Sequence, residues 1–162
     1  MTGRGLAFLA GMAVVAAACG ALSTSPASST GPSPGASAAS LVCALVPDMA
    51  SVVGREPIAP PDGYSVGGND RCMWVLSRDP SRYVGLTIGP ATNHATTIDA
   101  LGPGEDVAGL GDGARWWASS RTLSVAAGDR SFQVDLQLDP DEVTQELAVA
   151  IARQVLASLG TP

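Results

Sequence analysis

The C-terminal part of the chain combines a strand pattern with a helix pattern, and this combination restricts the fold most strongly. Apolar and polar residues alternate over 131–138, which predicts a strand with one apolar and one water-facing side. From Val143 to Leu159, apolar residues recur every four positions, which predicts a helix with one apolar stripe. Because the stripe and the apolar strand face bury each other, we predict an α+β domain in which this helix packs on an antiparallel sheet.

The start of this long helix is predicted from capping residues. Asp139 is placed as the N-cap, Pro140 as the first helical residue and Glu142 as the third, which resembles a capping box. The acidity of this segment suits the positive end of a helix, so it needs no metal to explain it. The predicted stripe consists of Val143, Leu147, Ile151, Val155 and Leu159, with Ala148, Ala152 and Leu156 beside it.

The other predicted elements are shorter. They are a helix over 47–53 with Pro47 as its first residue, a loop over 55–70, strands over 71–77 and 82–88, and a helix over 93–101 that ends at Gly102. The Gly-rich stretch 107–113 predicts a tight turn into a meander of strands at about 114–119, 122–126 and 131–138. We therefore expect about five antiparallel strands, with a short N-terminal helix and the long C-terminal helix packed on one face.

Residues 1–18 are organised like the leader of an exported protein. Arg4 is followed by an uncharged apolar run from Leu6 to Ala18, which is shorter than the roughly 20 residues of a membrane-spanning helix. The sequence Ala16-Ala17-Ala18-Cys19 resembles a bacterial lipobox, whose cysteine is alkylated by a diacylglycerol group before the leader is cut off. The resemblance implies a lipoprotein signal peptide over 1–18 and acyl chains, palmitate among them, that hold Cys19 on a membrane. The alternative is an ordinary secretory leader with an incidental Cys19.

The segment that follows has the composition of a tether. Residues 20–40 contain Ser, Ala, Gly, Pro, Thr and one Leu, with no charged or aromatic side chain. Such a stretch buries too little apolar surface to offset the entropy of ordering it. We predict a disordered tether over 19–40 and a single folded domain over 41–162.

The cysteine count supports this organisation. Of three cysteines, Cys43 and Cys72 remain if Cys19 carries lipid, and an exported compartment favours a disulfide between them. Two separate thiols and the distant His94 do not supply the ligands that zinc needs, and no second thiol lies close enough in sequence for a redox pair. We predict the disulfide, and we predict no metal and no cofactor.

Candidate catalytic groups are few. His94 is the only histidine and lies in a polar segment. The sequence has no Gly-x-Ser-x-Gly motif that would supply a nucleophilic serine for this histidine. The Gly-rich run 107–113 lacks the lysine and the spacing of a phosphate-binding loop, and the adjacent Glu105 and Asp106 have no evident apolar pocket. A net charge of −6 argues against nucleic acid as a partner. We therefore predict no catalytic residue and a protein that is not an enzyme.

Two consecutive tryptophans carry the one specific binding hypothesis. On a strand, Trp116 and Trp117 point to opposite faces, and Trp116 shares its face with Ala114. Trp117 shares its face with Arg115, so we predict Trp116 inside and Trp117 at least partly exposed. An exposed Trp117 beside Arg115 would suit a glycan, a lipid or a partner protein. The alternative is that a flanking loop or helix covers Trp117.

Several of these features together resemble a known family. They are the lipobox and tether, Cys43 followed by Val46-Pro47-Asp48, the sequence Cys72-Met73-Trp74, and the turn Gly109-Leu110-Gly111-Asp112-Gly113-Ala114. This combination resembles the small exported lipoproteins of actinobacteria, in particular domain-of-unknown-function family 3558. The resemblance implies an antiparallel sheet with flanking helices and a location in the cell envelope, and it implies no catalytic residues.

The expected function is that of an extracytoplasmic lipoprotein, anchored to the cell membrane through Cys19, with a non-enzymatic binding or accessory domain. Its partner would be an envelope protein, a lipid or a glycan. One alternative is a carrier of an apolar ligand between sheet and helices, which requires an apolar cavity of roughly 300 Å³ or more. The other is an envelope hydrolase, which requires a pocket with His94 or paired carboxylates of perturbed pKa.

Overall fold

The computed structural model describes residues 38–160, so the leader, Cys19 and most of the predicted tether lie outside the described residues. The helices are α1 (Ala38–Cys43), α2 (Met49–Val53), α3 (Thr92–Leu101) and α4 (Gln145–Leu159). The strands are β1 (Asp62–Val66), β2 (Asn69–Val75), β3 (Tyr83–Pro90), β4 (Glu105–Asp106), β5 (Gly113–Trp117), β6 (Thr122–Ala127) and β7 (Arg130–Gln137). Within this part of the chain, no helix has the length and apolar composition that crossing a membrane requires.

The strands form one antiparallel sheet in the order β1-β2-β3-β7-β6-β5-β4. The α+β class and the C-terminal meander are confirmed, whereas the expected five strands are seven. The strand β1 lies within the predicted loop 55–70, and Gly67 and Gly68, with φ of 58° and 78°, turn the chain directly into β2. Two consecutive residues with positive φ are typical of a tight hairpin, so these glycines start a strand pair where the composition indicated a loop. The other additional strand, β4, is only two residues long.

The hydrophobic core lies on one face of the sheet, beneath α4. In the register of the central strands, Leu86 pairs with Val134, and Val134 also pairs with Leu123. These three side chains and Ile151 of α4 have no exposed surface, so the predicted packing of helix on sheet is confirmed. Trp116 is buried in the same core, as predicted. Other core residues are Val42, Met49, Cys72, Trp74, Val84, Phe132, Leu136, Ala148, Ala152 and Val155.

The long helix begins later than predicted. Thr144 is its N-cap, and the Thr144 hydroxyl accepts a hydrogen bond of 3.1 Å from the Leu147 amide. The prediction that Asp139 caps the helix is wrong because Asp139 and Glu142 form a separate turn, in which the Glu142 amide donates to the Asp139 carbonyl. The Glu142 carboxylate accepts two hydrogen bonds from Arg55 of a distant loop, at 2.7 and 3.1 Å, and one of 3.3 Å from the Asp139 amide within the turn.

The N-terminal helices also differ from prediction at their starts. Asp48, rather than a residue before Pro47, is the N-cap of α2 and accepts a hydrogen bond from the Ser51 amide, while Gly54 ends the helix with a φ of 77°. The helix α1 begins at Ala38, inside the range predicted as tether. At its end, the sulfurs of Cys43 and Cys72 lie at disulfide distance, and their Cα atoms are 5.1 Å apart. The predicted pair therefore joins α1 to β2.

The Gly-rich stretch forms the predicted turn, and its glycines have a structural role. Gly111 has a φ of 51°, and a Cβ atom there would collide with the carbonyl oxygen of Ala126. The Asp112 carboxylate accepts a hydrogen bond of 2.6 Å from the Gly128 amide, and Leu110 is buried. The turn thus packs tightly against the β6–β7 hairpin.

Candidate functional site

The face of the sheet opposite α4, here called the second face, carries a continuous row of cross-strand neighbours, most of them polar. In register, the row crosses all seven strands from β1 to β4, and we call it the polar row. It consists of Tyr64, Arg71, Thr87, Gln133, Ser124, Arg115 and Asp106. The strands that build the apolar core thus present hydrogen-bonding groups on their other side.

The helix α3 packs on the middle of the second face through side-chain hydrogen bonds. Thr97 accepts from the Gln133 amide, and Asn93 donates to Asn69 at 2.7 Å. The expectation of a water-facing side is therefore wrong beneath α3, where Ser124 and Ser131 are buried.

A cleft lies between α3 and strands β2, β3 and β7. Its volume is about 200 Å³, and Arg71 is the one ionisable side chain among the described residues that line it. Its polar lining consists of Asn69, Arg71, Thr87, Asn93, Thr96, Thr97, Ser131 and Gln133. Gly89 shapes this cleft because a Cβ atom at that position would collide with the Asn69 and Asn93 amides. We call this the Arg71 cleft.

Next to the Arg71 cleft, the second face carries a carboxylate that is largely removed from water. The Thr122 hydroxyl donates a hydrogen bond of 2.9 Å to Asp135. Burial raises the pKa of Asp135, while Thr122 and the positive charge of Arg71 oppose that rise. Burial, together with the charge of Asp135, raises the pKa of the Tyr83 phenol. Asp135 thus lies two residues from Gln133 on β7 and outside the lining of the cleft.

His94 lies in the first turn of α3 and does not belong to a catalytic triad within the described residues. Its Nδ1 is 2.9 Å from the hydroxyl of Ser124, and Ser124 has no exposed surface, so a substrate cannot reach that oxygen. Burial, followed by the positive charge of Arg115, lowers the pKa of His94. Arg115 in turn pairs with Asp106 at 3.2 Å. Within residues 38–160, His, Cys, Asp and Glu side chains also form no group of three or more that could hold a metal ion.

The prediction that Trp117 is exposed is wrong. Its exposed fraction is 5%, and its indole nitrogen donates a hydrogen bond of 3.0 Å to the Gly102 carbonyl. The backbone at Gly104 also lies against the ring, so the segment after α3 covers this side chain. The alternative of a flanking loop was therefore correct. That Trp117 or Arg115 contacts a ligand or partner stays a prediction, and in this structure only the half-buried Arg115 is accessible.

Reasoning from the sequence missed Arg71 and Asn93 as site residues. The alternation over 131–138 already placed Gln133 on the non-core side. What it could not show is that α3 packs over that side and brings Asn93 beside Arg71.

A groove of mixed polarity lies away from the second face, between α2 and the segment 56–61. Its volume is about 600 Å³, and it is lined by residues that include Val46, Met49, Ile58 and Trp74. The groove is at the surface, whereas side chains fill the space between the sheet and α4. This filled core argues against a ligand carried between sheet and helices.

In comparisons with known proteins, no family model, no curated protein and no solved structure matches this chain. The resemblance to domain-of-unknown-function family 3558 therefore stays a prediction.

Proposed function

We propose that this chain is an extracytoplasmic lipoprotein, anchored to the cell membrane by acyl chains on Cys19, whose folded domain is a non-enzymatic binding or accessory module of the cell envelope. Its partner is an envelope protein, a lipid or a glycan. The resemblance to the exported lipoproteins of family 3558 belongs to the same proposal.

The observation that carries the proposal is the pairing of Cys43 with Cys72. A structural disulfide is typical of proteins outside the reducing cytoplasm. Because the chain has three cysteines, this pair leaves Cys19 as the one thiol available for lipid, and Cys19 follows the leader-like segment 1–18.

Two features of the second face support a binding role over a catalytic one. The histidine needed for a Ser–His hydrolase has a buried serine as its hydrogen-bond partner, and its charged neighbour Arg115 is not an acid. By contrast, the Arg71 cleft presents polar groups beside an exposed guanidinium. Such a surface suits recognition of a ligand.

Anchoring is tested by growing a bacterium that processes lipoproteins on alkyne-tagged palmitate while it expresses the full chain. We expect label on the wild type and on the control Ser23→Ala, and none on Cys19→Ala. Equal labelling of Cys19→Ala would contradict the anchor.

A further inference from the structure

We propose that the Arg71 cleft binds a small soluble compound through an anionic group, a carboxylate or a phosphoryl group, with Arg71 as its counter-ion. This inference rests on the binding role proposed above and adds a small anionic ligand to the envelope protein, lipid or glycan named there. It gives that role a location on the domain and a chemical class of ligand.

The charge of the cleft favours an anion. The chain has 15 acidic residues and a net charge of −6, yet no acidic residue belongs to the lining of this cleft. Arg71 is exposed and forms no ion pair within 4 Å among residues 38–160. A guanidinium presents a planar set of donors that matches a carboxylate or a phosphoryl group.

The neutral lining groups also favour donation to such a ligand. The Asn69 side-chain oxygen already accepts a hydrogen bond from Asn93, so the amide nitrogen of Asn69 remains as a donor. The hydroxyl of Thr87 lies next to Arg71 in the polar row and supplies a further donor. Because these groups line the same cleft as Arg71, one anion in the cleft can contact several of them.

The size of the cleft and the charge of Arg71 favour a small soluble compound as its ligand. A volume of about 200 Å³ is below the roughly 300–1,000 Å³ of pockets for drug-sized ligands. A cleft of this volume has too little room for an acyl chain. Gly89 keeps this space open, since a side chain there would displace both asparagine amides.

The competing role for Arg71 is to act only as a counter-ion for Asp135. The positive charge of Arg71 opposes the rise in the pKa of Asp135 that burial causes. Asp135 already accepts a hydrogen bond from Thr122, and it is not among the residues that line the cleft. If Arg71 served Asp135 alone, small anions would not saturate the cleft.

The chain has two asparagines, Asn69 and Asn93, and both line the cleft. Selective ¹⁵N-asparagine labelling of the full chain in nonionic detergent therefore gives side-chain amide signals from this site alone. We expect saturable shifts of these signals with inorganic phosphate or with acetate in a chloride buffer, and the two titrations distinguish phosphoryl from carboxylate recognition. The Arg71→Gln variant should weaken the apparent affinity about tenfold or more.

The matched control is Arg78→Gln, an exposed arginine between β2 and β3, which should leave the affinity unchanged. Thermal unfolding of both variants checks that each is folded. Absence of saturable shifts, equal shifts with added chloride, or equal weakening by Arg78→Gln would overturn the proposal. If no anion binds but Cys19 carries palmitate, only the proposal of an anion site in the Arg71 cleft is refuted. If anions bind but the wild type carries no palmitate, only the proposal of a lipid anchor is refuted.

Discussion

The two faces of the sheet are built by the same strands and differ in almost every physical respect. On the core face, Leu86, Val134 and Leu123 are cross-strand neighbours with no exposed surface beneath α4. On the second face, the residues next to them in sequence form the polar row, and α3 packs there through hydrogen bonds. Period-two alternation thus places the apolar core on one side of the strands and hydrogen-bonding groups on the other.

Removing apolar volume from the core face should have the largest effect. Ile151→Ala deletes a side chain with no exposed surface, and its loss should lower the free energy of unfolding by about 2–5 kcal/mol. Chemical denaturation measures this change. The control Arg153→Ala, on the exposed side of α4, should change stability by no more than about 0.5 kcal/mol. An equal loss of unfolding free energy in both variants would contradict the packing of α4 on the core.

A smaller effect is expected at the turn that holds Leu110 in the core. Both Gly109 and Gly111 have positive φ, and an alanine in that conformation costs about 1–3 kcal/mol. Only at Gly111 would the new Cβ also collide with the Ala126 carbonyl, so Gly111→Ala should lower the melting temperature further than Gly109→Ala. Equal melting temperatures of the two variants would contradict the tight packing of this turn against β6.

On the second face, the expected effect of one substitution is a gain in stability. Burial raises the pKa of Asp135, so its charged form is disfavoured in the folded state, and Asp135→Asn should stabilise the protein at pH 7. The new amide oxygen can still accept the Thr122 hydrogen bond. Because the folded state holds this proton more tightly than the unfolded state, the advantage of the variant should shrink as the pH falls towards 3.8. Denaturation at several pH values tests this, and a variant that is less stable at pH 7 would contradict it.

The smallest expected effect is at His94, where the stability of the wild type relative to the variant depends on pH in the direction opposite to that at Asp135. Burial lowers the pKa of His94, so the folded state favours the neutral imidazole. The stability of the wild type relative to His94→Gln should therefore be constant above pH 6.5 and should fall as the pH drops below that value. A difference between the two proteins that grows in favour of the wild type at low pH would show that His94 gains, rather than loses, protons on folding.

The parts of the fold that could be predicted from sequence are those set by local periodicity. The strand over 131–138 and the stripe around Ile151 follow from side chains a few positions apart, and both are confirmed. The start of α4 was misplaced because Asp139 and Glu142 have the pattern of a capping box but form a separate turn, whereas Thr144 caps the helix. The strand β1 was missed because its Gly67-Gly68 turn has the composition of a loop.

The candidate site was less predictable because it depends on where α3 packs. Alternation identified the polar side of β7, but only the packed helix places Asn93 beside Arg71. The same packing covers Trp117, since the chain leaving α3 supplies the Gly102 carbonyl to its indole. A strand pattern shows which side a residue faces and does not show what covers that side.

The central claim is a domain held outside the cell membrane by Cys19, with Cys43 and Cys72 paired. Intact-mass spectrometry of the protein from its own membrane, before and after reduction, tests it most directly. We predict a chain that begins at Cys19, carries a diacylglyceryl group, and gains the mass of two hydrogen atoms on reduction. An underivatised Cys19 thiol, removal of Cys19 with the leader, or no gain in mass on reduction would contradict the account.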